Sequence, residues 1–389
     1  MNLRKKCAAV LTAGALALSM AACSSDTSWI MRKDPLEMPV GVYINNLIQS
    51  YYEATTLVED AEQDVLSQQI EGQDAEDWIQ QNAIDETKKA MAICSEFNAR
   101  NIAFSQEQLL SCQEQAASYY EQAGDNLEKN GISQDSIELI YQIAYMKTQL
   151  FQALYGPSGE DPVSDEELSN YYDDNYIKMA VQTFSFSDME IPEDATEDEK
   201  AAYEEFNDSE RSNVYTNANT FYLQAKIGTE NGQSFNDILN EYKKENQSSD
   251  EEYDMTTDNY RLLDTATTTL DADVIKALKE AEVGEVVMVQ TDSMIAVGAT
   301  ADIHEDPTDF DYVKDSIRHA LRDETMEEYL LQVAQDDSFV LNQDAVDRYT
   351  IGKLDLEAGD VVVDGSIDSM TYSDGTLAEK HSILGRLFR

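Results

Sequence analysis

Histidine is scarce in this chain, with three in 389 residues: His304, His319 and His381. They stand far apart and none lies in an HExxH or paired-cysteine frame, which argues against a zinc site. No GxSxG elbow, Walker loop or GxGxxG turn occurs, so the common serine-nucleophile and nucleotide-binding frames are missing too. Basic residues are few, 27 Lys and Arg against 77 Asp and Glu, for a formal charge of −50. That balance excludes most nucleic-acid roles, which need cations to neutralise phosphates. The acidic run Asp194 to Glu199 lacks the alternating ligands and central glycine of a calcium loop, and reads as a solvated charge run. No metal or cofactor is expected.

Cysteine is also sparse, at four residues. One of them, Cys23, ends the segment Ser19-Met20-Ala21-Ala22-Cys23, which reads as a bacterial lipoprotein cleavage site. Arg4, Lys5 and Lys6 precede it, followed by fifteen uncharged, largely apolar residues from Ala8 to Ala22, too few to span a bilayer as a helix. Residues 1–22 are therefore expected to leave as a signal peptide, with Cys23 becoming the lipidated N-terminus. Removing them takes away three positive charges and no negative ones, moving the formal charge from −50 to −53. Such a chain is repelled by an anionic membrane surface and needs a covalent lipid to remain there, while cationic unfolded polypeptides are drawn to it. Cys7 leaves with the signal, so Cys94 and Cys112 remain, either paired across a helical hairpin or as two buried thiols.

The remaining 367 residues allow two or three domains. Residues 23–38 mix small polar residues with Pro35 and read as a lipid-anchored linker. From 39 to 175 the spacing is helical almost throughout, as in Tyr43, Leu47, Tyr51 and Ala54. Ser105 with Gln108 and Ser164 with Glu167 form capping-box pairs, and Gly131 to Ser133 separates two helices. Near Tyr176 the period changes. Ile177 to Ser187 alternates, with Ala180, Gln182, Phe184 and Phe186 on one face, as in a half-buried strand. The acidic stretch Glu190 to Glu210 is expected to loop out before a helix containing Thr220 to Ile227, with a short amphipathic helix at Phe235 to Tyr242. Val286 to Gln290 and Met294 to Gly298 read as strands around a turn. Helical spacing returns beyond Pro307, and residues 351–389 have no assignment. The fold class is thus α+β, mostly helical, with a small α/β insert. A solute-binding lipoprotein would need repeated strand and helix alternation, which the first 140 residues after the signal almost lack.

Three local patterns carry a resemblance: Val163-Ser164-Asp165-Glu166-Glu167-Leu168 with Tyr171-Tyr172 and Asn175-Tyr176, then Gly232 to Leu239, then Leu278 with Val283-Gly284-Glu285-Val286. In this order, behind a lipobox and a helical half, they resemble the parvulin-type foldase lipoproteins of the PrsA and SurA group over about residues 39–350. The resemblance implies a SurA-like helical N-terminal domain at 39–175, a parvulin-like domain at 176–305, and a C-terminal helical segment at 306–350 that packs on the N-terminal domain. It also implies unfolded or secreted polypeptides as clients and an extracytoplasmic, lipid-anchored location. A homodimer is a further expectation for its partners. The family's chemistry needs no nucleophile or metal: a barrier of roughly 18–20 kcal/mol reflects partial double bonding, and a dry pocket that holds the amide twisted lowers it.

Active members place histidines on the first strand and last hairpin, with a cysteine or aspartate and a glycine pair between. This chain offers Val181 or Gln182 and Met294 at the histidine positions, and Glu251 to Tyr260 replaces the glycine pair, leaving Asp254 and Met255. No catalytic set carries over. Phe184, Phe186, Met255 and Met294 are the peptide-binding candidates, each with plain core as its alternative. The expected function is a membrane-anchored chaperone with weak or absent prolyl isomerase activity, the alternative being an active isomerase that uses Asp254.

Overall fold

The computed structural model describes residues 26–356 except 61, 193–194 and 248–251. Cys23, the signal segment and the end of the chain lie outside the described residues. In chain order the elements are β1 (Trp29–Lys33), β2 (Leu36–Pro39), α1 (Val40–Leu57), β3 (Gln69–Ile70), β4 (Gln73–Asp74), α2 (Ala75–Ala99), α3 (Gln106–Asn130), α4 (Gln134–Tyr155) and α5 (Asp165–Asn175). There follow β5 (Tyr176–Ser185), α6 (Glu197–Glu230), α7 (Phe235–Asn246), β6 (Arg261–Asp264), α8 (Ala272–Glu280), β7 (Val287–Gln290), β8 (Met294–Ala301), α9 (Pro307–Val333), β9 (Val340–Leu341) and α10 (Gln343–Arg348). The fold is α+β and mostly helical.

Two compact units divide the chain, one formed by residues up to Leu150 with those from Glu327 onward, the other by Phe151–Met326. In the first, the α1 stripe Tyr43, Ile44, Leu47 and Ile48 joins Ile79, Ala83 and Met91 of α2 in one apolar core. Burial of such side chains contributes roughly 1.5–3 kcal/mol each, and it decides the packing. The Ser105–Gln108 capping box opens α3, and Gly131, at φ 84°, ends it in the left-handed conformation that glycine adopts without strain. Cys94 and Cys112 are free and buried. Burial pushes their thiols up to about 12 and about 11, away from the reactive thiolate.

One stretch differs from its sequence reading here. Much of the expected 23–38 linker is a folded hairpin: β1 pairs with β2 and β9 in the order β2-β1-β9. Its polar composition hides an apolar inner set, Ile30, Met31 and Met38, each at most 1% exposed. Burying those three outweighs the polar residues between them.

In the second unit, four antiparallel strands run in the order β6-β5-β8-β7. Ala180, Val297 and Ala299 pack on one side with Phe221 and Ala225 of α6 and Phe235, Ile238 and Leu239 of α7. Ile177, Met179 and Ala296 pack on the other with Val274, Ile275 and Leu278 of α8. Strand β5 is therefore covered on both faces over its first half, where alternation alone suggested one. The acidic stretch is also more ordered than a loop to Glu210, because Thr196 and Glu199 form a capping box that starts α6 at Glu197.

Candidate functional site

The site singled out by the sequence centres on the β5–β8 pair and the 252–260 loop. In the register of that pair, Val181 faces Gly298, Gln182 faces Val297 and Ser185 faces Met294. A Cβ at Gly298 would come within 2.8 Å of the Ala180 carbonyl oxygen, so the close approach of the strands requires glycine. No histidine stands on either strand. His304 Nε2 lies 3.2 Å from the Asp173 carboxylate. His319 stacks on Phe151 at 3.9 Å with Nδ1 2.8 Å from Asp323. His381 lies outside the described residues.

The five candidate residues do not form one cluster. Phe184 joins the α6–α7 side, with ring centroids 6.1 Å from Phe221 and 5.9 Å from Tyr242. Phe186 lies beyond the strand end, its backbone N–H donating to the Ser293 carbonyl at 2.9 Å. The Arg211 guanidinium stands 4.7 Å over its ring while ion-pairing with Asp188. Met294 belongs to the opposite side of the sheet, with Val181 and Val289 around the α8 core. Met255 is 39% exposed on the loop.

Asp254 is exposed, and its carboxylate is occupied locally. Oδ1 accepts from the Thr256 hydroxyl at 2.6 Å and the Thr256 N–H at 2.9 Å, which holds its pKa below the ordinary aspartate value. A general acid needs the opposite shift, toward the working pH. Among the described residues no group of three or more His, Cys, Asp or Glu side chains is placed to hold a metal.

What fixes the loop is a set of asparagines that sequence reading missed. Asn240 on α7 is wholly buried. Its amide donates to the carbonyls of Met255 and Thr257 at 3.2 and 2.9 Å, and its Oδ1 accepts from Tyr253 at 3.0 Å and Asn259 at 2.7 Å. Asn236 donates to Thr257 at 3.1 Å and accepts from the Asn259 backbone at 2.9 Å. Lys243 closes the set on Asn259 Oδ1 at 2.6 Å. Burial and the nearby Arg261 lower the Lys243 pKa. The only available signal was spacing: Asn236, Asn240 and Lys243 recur at helical intervals on α7. Among the described residues the arrangement is an apolar sheet covered on both faces beside a loop stitched by asparagine amides.

No family model matches the chain, and no curated protein matches it. Among solved structures it is similar to the foldase protein PrsA from Streptococcus pneumoniae, at 13% identity and a TM-score of 0.34, covering 69% of this chain and 88% of that one. It is also similar to the foldase protein PrsA from Lactococcus lactis, at 10% identity and TM-score 0.34, covering 82% and 96% respectively. A peptidylprolyl isomerase (PrsA) from Bacillus cereus matches at 14% identity and TM-score 0.28, covering 72% and 93%. Among the described residues, no helix is long and apolar enough to cross a membrane.

Proposed function

We propose that the chain is an extracytoplasmic chaperone of the parvulin-type foldase group, lipid-anchored at Cys23, that holds unfolded secreted polypeptides and has weak or absent prolyl isomerase activity. In this reading 39–175 and 306–350 form the helical chaperone module and 176–305 the parvulin-like insert. The observation that carries it is the combination on one sheet of an apolar, doubly covered β5–β8 pair with no imidazole, beside a loop whose one acidic candidate, Asp254, is tied to Thr256. The acidic charge of the chain supports attraction of cationic unfolded segments.

Holding is tested by light scattering during dilution of a denatured protein of high isoelectric point. Equimolar chain should suppress aggregation, and added salt should weaken the effect. Unchanged scattering at every ratio would overturn the proposal. Anchoring is tested by radiolabelled fatty acid in the bacterial host: label should enter the wild type and be absent from Cys23→Ala.

A further inference from the structure

A strand at the border of a sheet leaves one row of N–H and C=O groups unpaired, and proteins blunt such borders with charge, proline or short length. Three of the four borders of the two larger sheets follow this rule. Strand β2 carries Glu37 and ends at Pro39, β6 begins with Arg261 and ends with Asp264, and β9 is two residues long. Strand β7 does not. It reads Val287-Met288-Val289-Gln290, with Val286 before it, and carries no charge, although 27% of the chain is Asp, Glu, Lys or Arg.

The pairing register shows which groups face that border. Thr291 N–H donates to the Met294 carbonyl at 2.8 Å, closing the hairpin, and in an antiparallel ladder every second residue bonds across in this way. Val289 opposite Ala296 and Val287 opposite Gly298 therefore turn their backbone groups toward β8. The N–H and C=O of Met288 and Gln290 point the other way, where the sheet has no further strand. They recur about 6.8 Å apart, the rise of two strand residues. Beside this row Val283 keeps 66% of its surface in water, more than any other large apolar residue among those described. Glu282, Glu285 and Asp292 stand exposed at its two ends.

We propose that an extended segment of an unfolded polypeptide adds to β7 as a fifth strand of this sheet, held by its main chain. Resting on the holding activity proposed above, this contact is the place where a client is gripped. Its main-chain bonds leave the client's sequence largely free and need neither an imidazole nor a carboxylate.

Complementarity selects the occupant. The row offers donors and acceptors at strand spacing, and the matching set belongs to an extended chain whose backbone groups are unpaired; a folded protein has already paired its own. Half-buried Val287, Met288 and Val289 put apolar surface beside the added strand on both faces, which favours β-branched and apolar residues in the segment. The acids at both ends favour flanking Lys or Arg. With a formal charge of −50 on the chain, they also disfavour a second copy. A border this short makes few bonds, so binding is weak and reversible.

The test adds a short, lysine-flanked peptide of alternating valine and threonine to the full-length chain. Amide exchange at Met288 and Gln290 should slow on binding, while Val287 and Val289, already bonded to β8, should change little. The same peptide N-methylated at every central residue should bind at least about tenfold more weakly, because it has lost its donors. Gln290 is exposed and its N–H faces the border, so Gln290→Pro should keep the circular dichroism of the wild type and weaken binding about threefold to tenfold. Gln290→Lys, which keeps the N–H and sets a cation beside the cationic peptide, should weaken it as well. No binding at millimolar peptide, unchanged exchange at Met288 and Gln290 with peptide bound, or equal binding of the N-methylated peptide would overturn the proposal. Intact aggregation suppression alongside any of these would leave the holding reading standing on another surface. Protection that grows with chain concentration and no peptide present would also overturn it, by assigning the border to a second copy. Peptide bound at β7 by a chain that never suppresses aggregation would support the strand addition and overturn the holding reading instead.

Discussion

The β5–β8 sheet and the 252–260 loop belong to the same unit and are held by different physics. The sheet is built by apolar side chains buried on both faces, a term proportional to area and tolerant of detail. The loop is built by amide hydrogen bonds from Asn236, Asn240 and Asn259, each modest in net value and costly to leave unmade inside the protein. A scaffold of the first kind can keep its shape without any of the groups that chemistry would need. The second kind ties down the 252–260 segment and leaves Asp254 facing water.

The contrast can be broken at each of its holding points. Phe221 is 1% exposed and lies between Phe184, Phe235 and Tyr242, so Phe221→Ala should destabilise this unit by about 3–5 kcal/mol, read by urea denaturation. Asn240→Ala removes the amide that serves two loop carbonyls and the oxygen that accepts from Tyr253 and Asn259, and should cost about 1–3 kcal/mol. Its signature is local: amide exchange should accelerate at 253–259 and stay slow in β5 and β8. Equal loss of protection in both regions would show that loop and sheet open as one unit.

A smaller effect comes from Glu167. Hydrogen bonds from the Ser164 backbone, Arg322 and the Ser164 hydroxyl hold its pKa down at about 2. A carboxylate depressed in the folded state contributes stability that is full above its ordinary pKa near 4.5 and is lost as pH falls through about 2. The side chain is 43% exposed, so solvent screening limits the effect to under about 1 kcal/mol. Glu167→Gln should flatten that part of the acid unfolding curve and leave stability at neutral pH only slightly changed. The smallest effect is expected for Asp254→Ala, whose carboxylate bonds only within its own turn; aggregation suppression should match the wild type.

Apolar periodicity made much of this fold legible. The helices from 40 to 175, both predicted capping boxes, strand β5 and the β7–β8 hairpin all appear where spacing placed them. It failed where a few apolar residues are diluted by polar ones, as with Ile30, Met31 and Met38 in the supposed linker, and where an acidic composition concealed a helix cap at Thr196. Short β6 is only four residues long and had no period to read. The candidate site was legible as a set of positions and not as a geometry. Alternation put Phe184 and Phe186 on one face, but only the register of β5 on β8 shows Met294 on the other. The asparagine set escaped because hydrogen-bond partners 13 to 23 residues apart leave no periodic trace.

The rate of prolyl isomerisation in a short peptide, followed by protease-coupled cleavage with the full-length chain present, tests the central claim most directly. A sheet without imidazoles and a carboxylate committed to its own turn predict the uncatalysed rate, with a relaxation of tens to hundreds of seconds at 25 °C. Acceleration that rises in proportion to the amount of chain and disappears in Asp254→Ala would contradict it.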